Sequence, residues 1–285
     1  MPNYKSYSRR LLQRIGGEIC APFEIGRIKR RIPDFWGRNV FLLGSAPNPN
    51  LELFEENMLI VACNGSGANG KRLGLPSPAM TVVDFELLDP AIALTKPSRQ
   101  VVVGSKLITD LNLGYLVAAQ SNPSPGGDPS ILKTTYREFF ELHKPARRQI
   151  VHHVTRMRLL ERDVRAGLLS TGGFALALSF FLGCKSAVIA GFSLFKDANM
   201  KVEPHFYSEA DMKASPNLYS EEINAPSQRP TRETEFAKVD TRPHSLADSA
   251  LITALRLNGH MVRTRELDFL PLVQNWGNVT PPWAL

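Results

Sequence analysis

Asn39-Val-Phe-Leu-Leu-Gly44, running straight into Ser45-Ala-Pro-Asn-Pro-Asn50, sets the fold class. An apolar run this short, stopped by glycine and a turn-rich loop, reads as a buried strand feeding a loop. Working outward, Met58-Leu-Ile-Val-Ala-Cys-Asn64 repeats the pattern, with Gly65-Ser-Gly-Ala-Asn-Gly70 behind it. Ala79-Met-Thr-Val-Val-Asp84 is a third strand and closes on an acid. Further strands read at 100–104, at 148–154, at 185–191 and, as an edge, at 260–263. Helical patterns fall between them at 86–94, 136–142, 172–182 and 246–257. Strands alternating with helices predict an α/β domain whose mostly parallel sheet is covered on both faces. Ligands in such sheets bind outside the carboxyl ends of the strands, here at Gly44-Ser45, Asn64 and Asp84.

At 285 residues, with 43% hydrophobic and 21% charged residues, the chain can bury one large domain. It has no apolar stretch of the length of about 18 residues that spans a bilayer, and its start lacks the pattern of a secretory signal. Cys20, Cys63 and Cys184 are far apart and in no metal-type spacing, which predicts a reducing, cytoplasmic setting and no cysteine chemistry. Of the net charge of +7, residues 1–38 carry +6, from nine Lys/Arg against Glu18, Glu24 and Asp34. No basic stripe interleaved with aromatics runs through the rest, so nucleic acid is not an expected partner. Tyr4, Tyr7, Leu11, Ile15 and Ile19 recur at helical spacing beside Arg9, Arg10 and Arg14. Residues 1–31 are therefore expected at an anionic membrane surface, on the cytoplasmic side of the inner membrane. The alternative is a helix docked on the domain with a solvated basic side, and Gly16-Gly17 weakens the helix in either case. The division expected is a basic amphipathic segment over 1–38 and a domain over 39–285. Two irregular stretches, 121–130 and about 195–243, interrupt the domain, and the second has the length of a flexible lid.

Three segments carry candidate chemistry. The loop after Gly44 is neither a dinucleotide fingerprint nor a P-loop, although its glycine would let a ligand approach the backbone and Ser45 offers a hydroxyl. Ser170-Thr-Gly-Gly173 opens an apolar helix, where free N–H groups and the helix dipole favour an anion. A plain N-cap explains the same residues. His244, in Arg242-Pro-His-Ser245, precedes a helix with Asp248 in its first turn and is a candidate general base. His143, His152, His153, His205 and His260 compete with it. No His, Cys or carboxylate cluster has metal-ligand spacing, so neither a metal nor another cofactor is expected.

Taken in order, these pieces resemble the bacterial sialyltransferases of glycosyltransferase family 42. They are a strand into Gly-x-x-Pro, a strand into Cys63-Asn64, a strand ending at a polar residue, and Ser170-Thr-Gly-Gly opening an apolar helix. A strand into Gly191-Phe-Ser-Leu-Phe195 and the Pro-His-Ser before a last helix follow. The resemblance covers roughly residues 39–263 and implies a Rossmann-like domain with a lid. It implies transfer of sialic acid from CMP-sialic acid, inverting and metal-independent, to a glycan or glycolipid. It places Gly44, Ser45, Asn64, Asp84, Ser170, Thr171 and Gly172 at the donor, Leu194 and Phe195 on the family's Phe-Tyr pair, and His244 as the base. The family holds the leaving phosphate with two tyrosines; here Phe195 lacks one hydroxyl and Thr241 stands near the other. Tyr207, Tyr219 or Arg242 are the candidates to replace them. A donor carrying another acidic sugar, such as Kdo, fits the same pattern. So does a non-catalytic, membrane-associated nucleotide-sugar-binding homologue. A methyltransferase would instead show a glycine-rich first loop and an acid where Asn64 stands.

Overall fold

The computed structural model describes residues 4–46, 48–84, 88, 108, 111–119, 129–132, 134–156, 169–192 and 245–265. Within them lies a seven-stranded sheet of β1 (Asn39–Leu43), β2 (Leu59–Cys63), β3 (Met80–Asp84), β4 (Asn112–Ala119), β5 (Thr135–Leu142), β6 (Ser186–Ala190) and β7 (Met261–Thr264). Every pairing is parallel, in the order β5-β4-β3-β2-β1-β6-β7. This is the Rossmann-like α/β architecture, with the chain stepping outward from β1 to β5 and then returning to the other side of β1. The order therefore reverses between β1 and β6, and sheets of this kind bind ligands at that switch point.

The central strands are near-continuous apolar runs because helices cover both of their faces. Leu42, Val61, Cys63, Val82, Val117 and Ile189 face one layer, together with α1 (Tyr4–Arg31), α3 (Lys144–Thr155), α4 (Thr171–Phe181) and α5 (Ser245–Leu257). Phe41, Leu43 and Val188 face the other, where α2 (Ser66–Arg72) sits. From Gly172 to Phe181 every residue of α4 is buried. A helix that is apolar all round belongs inside, between the sheet and the outer helices.

Three readings change. The segment 136–142, read as a helix, is strand β5, because β4 lies beside it and pairs it from Asn112↔Thr135 to Ala119↔Leu142. The segment 148–154, read as a strand, belongs to helix α3. Pro145 in its first turn and buried Ala146, Ile150, Val151 and Val154 at helical spacing carry it, despite the β-branched residues. The glycine-rich stretch behind Asn64 is not all loop, since Ser66–Arg72 forms α2. β4 itself had no counterpart in the sequence reading. The strand read at 100–104, the helix at 86–94 and the lid at about 195–243 lie outside the described residues or nearly so.

From Glu18 onward α1 is docked. Ala21, Ile28 and Ile32 are fully buried or nearly so, at 0–1% exposure. Arg27 and Arg31 fork onto Glu138 of β5 at 3.1 and 2.9 Å. Glu24 accepts from the His143 backbone and pairs with its Nδ1 at 2.7 Å. Glu18 pairs with Arg148. Asp34, just past the helix, accepts from Tyr115 Oη at 2.8 Å and Arg137 at 2.7 Å. No helix among the described residues is long and apolar enough to cross a membrane.

Candidate functional site

The switch point is closed by backbone packing. Gly44 N–H donates to Ala190 O at 2.8 Å and Ala46 N–H to Gly191 O at 3.0 Å, so β1 and β6 stay joined past their ends. A Cβ on Gly44 would lie 2.2 Å from Gly191 O and 2.8 Å from Phe192 Cδ2. Glycine is required here because another part of the chain comes close. Gly191 and Phe192 occupy the space beside Gly44. Ser45 follows at the mouth of the crevice, half-buried. Asn69 Nδ2 of α2 donates to Ala46 O at 3.0 Å and buttresses the loop from the opposite face. Buried Ser66 links the ends of β1 and β2, donating to Leu43 O and accepting from Cys63 N–H.

Asn64 takes a left-handed conformation, with φ of 52°. Asparagine tolerates this region better than most residues, and such strain clusters at functional turns. Its N–H donates to Val82 O at 2.8 Å and its Oδ1 accepts from Asp84 N–H at 2.9 Å. The two candidates are therefore brought together, and the bond fixes the β2 end against the β3 end. Cys63, one residue earlier, is buried, and burial together with the Asp248 charge pushes its thiol pKa up. It stays a neutral core thiol.

At the start of α4, Ser170 is the N-cap and its Oγ accepts from Gly173 N–H at 2.9 Å. The same hydroxyl donates to Asp248 Oδ2 at 2.5 Å, and Ser170 N–H donates to Asp248 Oδ1 at 3.1 Å. Asp248, in the first turn of α5, is only 8% exposed. A Cβ on Gly173 would meet Asp248 Oδ1 at 2.2 Å, and one on Gly172 would meet Phe192 Cε1 at 1.9 Å. A carboxylate and an aromatic ring lie against these two glycines. Part of the helix's positive end is met by Asp248 from within the chain. A gap of about 10 Å³, lined by Leu42, Leu176, Ile189, Ile252 and Asp248 among others, lies beneath Phe192. That is room for roughly one water, so a nucleotide at this point has to move the Phe192 ring.

Arg147 and Asp248 are the residues that the sequence reading did not place in the site. Arg147 is in the first turns of α3, with its guanidinium 4.7 Å above the Phe174 ring of α4. Burial lowers its pKa to about 10, and the Asp84 charge works in the opposite direction. It remains a cation, held where the ends of β3 and α4 converge. Among the competing histidines, His152, His153 and His260 sit at the amino ends of the strands, in the last turn of α3 and just before β7. His143 is at the carboxyl end but engaged by Glu24. His244, Leu194 and Phe195 lie outside the described residues, as do Tyr207, Tyr219, Thr241 and Arg242. No group of three or more His, Cys, Asp or Glu among the described residues could hold a metal ion.

No family model matches the chain, and no curated protein matches it. Solved structures similar to the chain include two sialyltransferases. The monofunctional alpha-2,3-sialyltransferase Cst-I from Campylobacter jejuni aligns with a TM-score of 0.46 and 10% identity, covering 86% of this chain and 83% of that one. The sialyltransferase Cst-II in complex with CMP aligns with a TM-score of 0.38 and 8% identity, covering 80% of each chain.

Proposed function

We propose that this chain is a CMP-sugar-dependent glycosyltransferase of sialyltransferase type. It transfers sialic acid or a related acidic sugar such as Kdo to a glycan or glycolipid at the inner membrane face. One observation carries the reading. Asp248 ties the first turn of α5, whose preceding residue is His244, to Ser170 at the start of α4. The start of α4, read as donor-binding, is thus tied to the helix that follows the residue read as the base, although 78 residues separate Ser170 from Asp248.

The chemistry follows from those positions. His244 accepts the proton of an acceptor hydroxyl as its oxygen attacks the anomeric carbon. The carbon–oxygen bond to CMP breaks, and the phosphate leaves with the electron pair, inverting the centre. Ser170 has its hydroxyl committed to the cap, so its part is to hold the α4 start. The Thr171 and Gly172 backbone N–H groups, with Ser45 and Asn64, are the donors assigned to the nucleotide and its phosphate. Arg147, over Phe174 and within reach of the Asp84 charge, adds a cation that favours an acidic ligand. No metal is invoked.

Calorimetry and thermal shift with CMP, CDP, UDP, GDP and S-adenosylmethionine test the site, followed by turnover of CMP-sialic acid and CMP-Kdo. CMP is expected to bind best, and His244→Ala to lower turnover by about 100-fold or more while CMP still binds. Preference for another nucleotide would sink the reading. The Phe192 ring over Gly44 and Gly172, with Phe195 and Thr241 at the tyrosine positions, favours a second reading: a non-catalytic homologue that binds CMP-sugars. CMP binding without turnover of any CMP-sugar would decide for it.

A further inference from the structure

Helix α1 has two apolar rows, and the fold uses one of them. Ala21, Ile25, Ile28 and Ile32 turn inward and pack in the main core. At about 100° per residue, Ile19 and Phe23 fall on nearly the opposite side. Ile19 is 62% exposed and Phe23 76%. Large apolar side chains side by side in water mark an interaction surface more often than they occur by chance.

The charges say what kind of surface it meets. Glu18 and Glu24 are the helix's only acids, and both are turned to the domain, on Arg148 and His143. Arg27 and Arg31 are drawn the same way by Glu138. Arg30, exposed, continues the Ile19–Phe23 row two turns on. Among the described residues the outer face is thus apolar, closed by a base and without a carboxylate. A second copy of the chain docking there would set like charges against one another. Anionic headgroups over an acyl layer meet both features at once.

We propose that the outer face of α1, centred on Ile19 and Phe23, lies in the headgroup layer of an anionic bilayer while the inner face holds the domain. This face shares Ile19 with the row expected from Tyr4 and Tyr7 onward and adds Phe23, because docking fixes which side of the helix is left outside. It also orients the molecule. Glu18 and Glu24 meet residues just past the carboxyl end of β5, and Arg31 meets Glu138 nearer its start, so α1 runs against the strands. Its amino-terminal end therefore lies on the side where the strands deliver the candidate site, and a helix lying flat in the headgroup layer sets the strands parallel to the bilayer.

The test uses the full-length protein and vesicles, with no nucleotide or sugar, so its failure leaves the proposed reaction untouched. Co-sedimentation is compared for phosphatidylglycerol-containing and pure phosphatidylcholine vesicles, at low and high salt. The expected result is binding to the anionic vesicles, weakened by salt. Ile19→Ser/Phe23→Ser should lower it at least about tenfold, and Arg30→Glu by a smaller factor, with unchanged melting temperatures. Equal binding of parent and double variant overturns the proposal. So does a parent that ignores vesicles, whether the double variant then loses a concentration-dependent dimer or a lower melting temperature reveals that the chain covers this face itself.

Discussion

Gly173 and Asp248 show how little room single residues have at this site. An added methyl at Gly173 would fall 2.2 Å from Asp248 Oδ1, so Gly173→Ala should cost about 1–3 kcal/mol in urea unfolding, as overpacking does. Asp248→Ala removes the acceptor for Ser170 N–H and Oγ, both part-buried, and should cost about 1.5–3 kcal/mol, the range of hydrogen bonds to a charged group. Because both changes act on one contact, the double variant should lose clearly less than their sum, which a double-mutant cycle reads directly. Additivity would show that the two residues do not touch. The cap at Ser170 was legible in sequence, since a serine before an apolar run is an N-terminus signal. Its partner was not. An acid in the first turn of a helix is already explained by that helix's own dipole, so nothing local marked Asp248 as serving α4. Arg147 was hidden for a similar reason, because its role depends on Phe174 and Asp84, which come from other elements.

Among elements, α1 separates what binds a helix from what aligns it. Its ion pairs with Glu138 use arginine side chains that are 58% and 64% exposed, and exposed pairs contribute at most about 1 kcal/mol. Burial works against ionising Glu138, yet hydrogen bonds from Arg31 and Arg27 outweigh it and hold the carboxyl below its ordinary range. Ile28 is fully buried, and truncating such a residue to alanine costs about 2–5 kcal/mol. Ile28→Ala should therefore destabilise the protein at least about twofold more than Glu138→Gln by denaturant titration. The reverse order would mean that charge, not burial, docks the helix. At this scale the sequence was legible where one period dominates. β1, β2, β3 and β6 are short apolar runs ended by Gly, Asn or Asp, and α4 and α5 carry helical spacing. It misled where a segment satisfies both periods. Tyr136, Phe139, Phe140 and Leu142 fit a helix turn as well as an edge strand, and only pairing with β4 decides. Ile150, Val151 and Val154 are β-branched residues that burial on α1 and α4 overrides.

For the whole molecule, the histidines give opposing pH signatures. The Glu24 hydrogen bond, against the effect of burial, raises the His143 pKa above 6.5. That stabilisation is fully present below about pH 6.5 and is lost as pH rises through the raised folded value. Burial, first among the causes, lowers the pKa of His153 and His260 below 6.5. Their contribution is present above about pH 6.5 and is lost as pH falls through the lowered folded values. His143→Asn should thus lose more stability at about pH 5.5 than at about pH 8.5, whereas His260→Gln should flatten the loss of stability on the acid side. Identical pH profiles for parent and variants would remove both assignments. The central place of β1 has a further consequence, for synthesis. Its partner on one side, β2, is the next strand in the chain, but its other edge waits for β6, with Asn39 bonded to Ser186 across 147 residues. At translation rates of about 5–20 residues per second, that edge stays unpaired on the ribosome for on the order of ten seconds. A nascent chain stalled before residue 190 carries an open strand edge, apolar but for Asn39, and is the form of this protein most in need of a chaperone.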